Sequence, residues 1–142
     1  MYDALTIARY IINYSNYQGY GVTNLKLQKL LYFVQAAFLK IYGDVCFKED
    51  MQAWMFGPVI PNVYHQYKRY GNREIPGEEI MWDDPSIQVD HKETIKFIID
   101  FFKDYSSSSL VQITHEQAPW KNAYVKGENR IIKVEDLKEV FS

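Results

Sequence analysis

Apolar residues recur at helical spacing in the first forty positions of the chain. Leu5, Ala8, Ile11 and Ile12 mark one face of a helix predicted over about 3–17, with Asp3 available as N-cap and Gly19 and Gly21 ending it. Ile7, Tyr10, Tyr14 and Tyr17 fill a neighbouring face, so the helix must be deeply buried or cover a partner. Leu27, Leu30, Leu31, Val34, Phe38 and Ile41 predict a second helix over about 24–42, capped by Thr23 and stopped at Gly43. Tyr32, Phe33, Ala37 and Leu39 widen its stripe until Lys26, Gln28, Lys29, Gln35 and Lys40 are its remaining polar residues, which makes it the central core helix.

Between Asp44 and Ile60 the period changes. Phe47, Met51, Ala53 and Met55 alternate with more polar positions, as in short extended pieces. In the run from Phe56 to Pro61, Gly57 and Ile60 each precede a proline and are pushed out of the helical region, while Pro61 suits the first turn of a helix ending before Gly71. Val63, Tyr64, Tyr67 and Tyr70 share one side of that helix. Residues 72–89 read as irregular, with a short strand near Ile80 to Trp82. Asp90 and Glu93 resemble an acidic capping box before a helix over about 91–105, whose buried stripe is Ile95, Ile98, Ile99 and Phe102. Ser106 caps a short helix through about Thr114, Ala118-Pro119-Trp120 breaks the chain, and a strand at 130–133 precedes a last helix over 135–141. The expected fold is mainly α: a compact single-domain helical bundle over 1–142 around a long central helix, with short β pieces near residues 45–56 and 80–89.

Composition bounds the function more than the fold. At 142 residues the length favours one core, and 47% hydrophobic with 24% charged residues is ordinary for a globular chain. The most apolar stretch, Leu30 to Leu39, is about half what a bilayer crossing needs, and the N-terminus lacks a secretory pattern. With the single Cys46, a reducing, cytoplasmic location is expected. A net charge of −2 disfavours nonspecific nucleic-acid binding. Residues 1–43 hold four cations and one anion, whereas 74–104 hold nine anions and three cations. That split gives the fold a basic and an acidic side, or two ordinary solvated faces.

Candidate chemistry is sparse. Gly19-Tyr20-Gly21 lacks the glycines and the lysine of a phosphate loop, and His65, His91 and His115 stand singly, so neither a cofactor nor a metal is expected. Cys46 could act as a nucleophile if His65 or His115 and a carboxylate met it in space, but a free cysteine commonly serves as a small buried hydrophobe. Glu78, Glu79, Asp83 and Asp84 could supply an acid/base pair or lie on a solvated loop. Trp54, Phe56, Gly57, Pro58, Tyr64 and Tyr67 cluster around one sharp reversal, the composition of a binding hot spot, although Trp54 and Phe56 could equally cap the core.

The order of these residues carries a resemblance. Leu27-Gln28-Lys29-Leu30-Leu31-Tyr32-Phe33, Gln35-Ala36, Tyr42-Gly43, Ala53-Trp54, Phe56-Gly57-Pro58-Val59 and Pro61, then Thr114-His115 and Pro119-Trp120, resemble the SocA-like antitoxin domain, also called the Panacea domain. Family members often carry Trp or Tyr and a His just after the Gln-Ala pair, where this chain has Ala37-Phe38. The resemblance implies a cytosolic bacterial or phage-encoded antitoxin, not an enzyme, that neutralises a neighbouring-gene toxin by direct binding, with delivery to a housekeeping protease as one route. A small Cys/His-dependent hydrolase and a nucleic-acid-binding regulator are the rival classes. Partner contact is expected at Lys26, Lys29, Trp54, Phe56, Gly57, Pro58, Val59, Tyr64, His115 and Trp120. Lys29 is taken as a solvated charge, so its reversal to Glu is expected to leave the melting temperature unchanged while weakening rescue from the toxin.

Overall fold

A computed structural model describes residues 1–78 and 83–142. The strand expected at Ile80 to Trp82, and Glu79, lie outside the described residues, and residues 83–88 form no strand. Among the described residues the fold is mainly α, with seven helices and one small sheet.

Helix α1 (Ala4–Tyr17) buries Ile7, Ala8, Tyr10, Ile11, Ile12 and Tyr14, so its wide apolar surface is core, and only Tyr17 of the tyrosine series is exposed. Asp3 occupies the N-cap position but makes no capping bond; its carboxylate pairs with Lys48 at 2.8 Å. The Ala4 N–H donates instead to Glu49 Oε1 at 2.9 Å.

Helix α2 (Asn24–Tyr42) is the hub. Thr23 accepts from the Lys26 N–H, and Gly43 closes the helix in the left-handed conformation at φ 76°. Every residue from Leu27 to Leu39 is buried, including Gln28, Lys29 and Gln35. The polar residues are buried because each serves a backbone segment lying against the helix. Gln35 accepts from the Cys46 and Phe47 N–H groups and donates to the Phe47 carbonyl. Gln28 accepts from the Ile60 N–H at 2.9 Å. Such bonds offset the desolvation of buried polar groups. Because opening α2 requires exposing most of the core, its amides are expected to be the slowest to exchange. Hydrogen exchange should show maximal protection over Leu31 to Phe38, and rapid exchange there would reject the hub assignment.

Strands β1 (Gln52–Trp54) and β2 (Gly57–Val59) form an antiparallel hairpin with Trp54 opposite Gly57, and β3 (Arg130–Ile131) pairs with the other edge of β1. Helix α3 (Pro61–Tyr67) starts on its proline and runs into a 3₁₀ turn at Lys68–Tyr70. Helix α4 (Val89–Phe101) buries Ile95, Ile98 and Ile99 against α2, but begins at Gln88 without a side-chain cap, so Asp90 lies in its first turn rather than capping it. Helix α5 (Ser107–His115) is capped by Ser106, whose hydroxyl accepts from the Ser109 N–H. The expected break at Ala118-Pro119-Trp120 is instead helix α6 (Ala118–Ala123), because a proline in the first turn removes only an N–H that has no helical partner. Helix α7 (Val134–Leu137) is shorter than its sequence pattern. No helix among the described residues is long and apolar enough to cross a membrane.

Candidate partner-binding cleft

The β1–β2 hairpin stands against the N-terminal turns of α2. Three groups fix it there from behind. Lys29 Nζ, on a fully buried side chain, donates to the Pro58 carbonyl at 2.9 Å. The Trp120 indole N–H donates to the Trp54 carbonyl at 2.7 Å, and His115 Nε2 meets the Met55 carbonyl at 2.9 Å. The His115 and Trp120 rings stack at 3.9 Å between centroids. Gly57, at φ 102°, lets this brace close: a Cβ there would lie 2.8 Å from Lys29 Cε and 2.9 Å from Thr114 Oγ1.

In front of the brace the hairpin, the start of α2 and α3 enclose a cleft of about 530 Å³. Trp54, Phe56, Val59, Tyr64 and Leu25 supply its apolar surface, and Trp54 and Tyr64 meet edge to face with centroids 5.0 Å apart. Phe56 projects at the hairpin tip and is 58% exposed. The deep end is polar but satisfied: Gln28 donates to Asn24 Oδ1, and Asn24 Nδ2 donates to the Tyr64 carbonyl. Lys68 is the one charged residue lining the cleft among the described residues. Exposed aromatic edges, a pre-set backbone and a single cation suit an apolar segment carrying an acidic flank.

The residues expected at a partner surface therefore separate into two groups. Trp54, Phe56, Val59 and Tyr64 line the cleft. Gly57, Pro58, His115 and Trp120 belong to the hairpin and the brace that orients it. Lys29 corrects the sequence expectation. Its charge is not solvated: the side chain is fully buried, and desolvation holds its pKa down to about 7. A group sealed beneath the hairpin cannot steer a partner through solvent. Lys26 is half-buried; its ammonium donates to the Lys103 carbonyl at 3.2 Å, and burial lowers its pKa against the opposing pull of Asp104. It lines a neighbouring hollow with Thr23 and Ser107, which also border the cleft. Leu25, Lys68 and Asn72 were missed, because Lys68 lies in the polar 3₁₀ turn after α3 and Asn72 in an irregular stretch; only their sequence proximity to Thr23 and Gly71 could have pointed to them.

Among the described residues the catalytic alternatives gain no geometry. Cys46 is buried, desolvation pushes its thiol pKa well up, and its backbone is engaged by Gln35 and Tyr2. His65 meets Tyr64 edge to face on the surface and His115 holds the hairpin. Glu78 pairs with Arg9, Asp83 pairs with Lys92, and Asp84 accepts from the Ser86 N–H and hydroxyl, so these three described carboxylates are engaged elsewhere rather than with one another. No metal-binding cluster of His, Cys, Asp and Glu occurs among the described residues. Since a protonated, sequestered thiol is a poor nucleophile, native Cys46 should resist alkylation by iodoacetamide. Cys46→Ala should also leave biological activity intact; a folded but inactive variant would restore the enzyme reading.

The family described as "Antitoxin SocA-like, Panacea domain" matches residues 27–121. The chain belongs to the SocA-like antitoxin family. Antitoxin SocA of Caulobacter vibrioides (strain NA1000 / CB15N) is 30% identical over 128 residues, covering 83% of this chain and 68% of that protein. No solved structure matches. Membership in the SocA-like family supports an antitoxin role for the chain. The matched span runs from the first turn of α2 through the hairpin and α3 into α6, and so includes Gln28, Trp54, Phe56, Val59, Tyr64 and the whole brace.

Proposed function

We propose that this chain, acting as one domain over 1–142 in the cytoplasm, neutralises a toxin protein by direct contact, and that the toxin docks in the cleft between the hairpin, the start of α2 and α3. The chain works by binding and not by catalysis. The observation that carries this reading is the aromatic cleft, whose wall is held by a buried bond from α2 and a part-buried one from α6. A binding wall that is rigid before contact loses less conformational freedom on docking. The apolar surface of Trp54, Phe56 and Tyr64 supplies area, and Lys68 favours an acidic flank on the toxin.

The protein encoded by the adjacent gene is the test object. Expressed alone it should arrest growth, and coexpression with this chain should restore it. Arrest that persists despite both proteins being present would reject the reading. The toxin's level during rescue separates two routes: a steady level means occlusion, and a level that falls only when a housekeeping protease is active means delivery for degradation.

A further inference from the structure

The exposed aromatic face of α4 plays no part in the cleft. Phe97 and Phe101 are 65% and 57% exposed, their centroids lie 6.2 Å apart, and Tyr105 continues the ladder at 6.3 Å from Phe101. Four-residue spacing places Phe97 and Phe101 in one row along α4, and Tyr105 extends that row just beyond the end of the helix. Beside the N-terminal half of this row, α2 and α4 leave an apolar groove of about 360 Å³, lined by Ala37, Ile41, Phe97, Ile98 and Phe141. Ile41, at 60% exposed, is its outer lip. An apolar cavity of about 150 Å³ holds a benzene ring, so this groove has room for a phenylalanine side chain.

One face thus carries both a ring that projects and a hollow that fits a ring. We propose that this face is the interface of a two-fold homodimer, in which the α4 helices lie antiparallel and Phe101 of each copy fills the α2–α4 groove of the other. Two-fold contacts need such self-complementarity, because each element must meet its counterpart twice. The charges agree with the arrangement. Lys40 borders the groove end, Asp104 lies three residues beyond Phe101, both are exposed, and neither makes an ion pair within 4 Å among the described residues, Asp104 exerting only a longer-range pull on Lys26. Antiparallel α4 helices bring Lys40 of each copy toward Asp104 of the other. Glu93, also at the groove, is occupied by a long contact with Lys96 at 3.7 Å. The groove and the cleft lie at opposite ends of α2, about 20 Å apart at 1.5 Å per residue, so a dimer leaves the cleft open. The homodimer does not depend on the toxin reading.

Sedimentation velocity of the full chain from about 1 to about 100 μM tests it without any other protein. The wild type should show a monomer–dimer equilibrium within that range. Phe101→Glu should weaken dimerisation at least about tenfold and leave the melting temperature unchanged, since the ring is exposed in the monomer. Lys40→Asp should weaken dimerisation, and adding Asp104→Lys should restore it. A wild-type monomer throughout, a dimer indifferent to Phe101→Glu, or a charge swap that fails to restore association would each overturn the proposal. A face that instead belongs to a different protein would appear as the first of these outcomes.

Discussion

Lys29→Glu is expected to unfold much of the protein at neutral pH. The substitution removes the donor to the Pro58 carbonyl and places a carboxylate beside that acceptor in a fully buried position. Breaking a buried charged interaction in this way costs about 3–5 kcal/mol, a large share of a typical domain's stability. Lys29→Met keeps the aliphatic volume without the charge and should fold. Its pH profile is the diagnostic. With a folded pKa of about 7 against about 10.4 in an unfolded chain, the penalty for burying the ammonium is fully present below about pH 7. Between those values the unfolded chain binds more protons, so stability rises with pH, by about 2–3 kcal/mol from pH 7 to pH 9. Above about pH 10 the sign reverses: burial raises the pKa of Tyr10, Tyr14 and Tyr32, so the unfolded chain loses tyrosine protons that the folded one keeps. Urea midpoints should therefore climb from pH 7 to pH 9 in the wild type and stay flatter in Lys29→Met. Parallel profiles would mean that Lys29 is hydrated.

Gly57→Ala should cost about 2–4 kcal/mol, from two sources. The residue sits at φ 102°, where a side chain is strained, and the new Cβ would meet Lys29 Cε and Thr114 Oγ1 inside van der Waals distance. Lys29 can retreat only by giving up its bond to Pro58. Urea unfolding of Gly57→Ala, Lys29→Ala and the double variant checks the cause. Deleting the lysine side chain makes room for the methyl group, so the double variant should be more stable than the sum of the single losses predicts, by about 0.5 kcal/mol or more. Strict additivity would locate the cost in the backbone and the Thr114 contact rather than in Lys29.

Lys29 also marks where sequence reasoning reached its limit. The helical period, Thr23 and Gly43 defined α2 correctly, because capping and apolar spacing are local properties. Whether a lysine on that helix faces water depends on what crosses it, and the segment that does is 29 residues further along the chain. Gln28 and Gln35 were legible as polar but not as buried, for the same reason: their partners are backbone groups of distant loops. Pro119 was read as a breaker although its place in the first turn of α6 makes it a starter, a distinction resting on one residue of register. At the cleft, the aromatic residues around the Phe56–Pro58 turn were visible as a cluster because the hairpin is a short-range structure. The way His115 and Trp120 brace that hairpin was not visible, since they reach it across 60 and 66 residues of sequence.

Calorimetric titration of the neighbouring-gene toxin into the wild type and Phe56→Asp tests the cleft most directly. Phe56 is 58% exposed at the hairpin tip, so its replacement should change stability by less than about 0.5 kcal/mol. Affinity should nonetheless fall about 30-fold or more, the equivalent of about 2 kcal/mol, because a charge would enter the apolar mouth of the site. Val89→Asp, at an exposed residue on α4, serves as the control and should bind like the wild type. Unchanged toxin affinity in a folded Phe56→Asp protein would contradict the assignment of the cleft as the docking site.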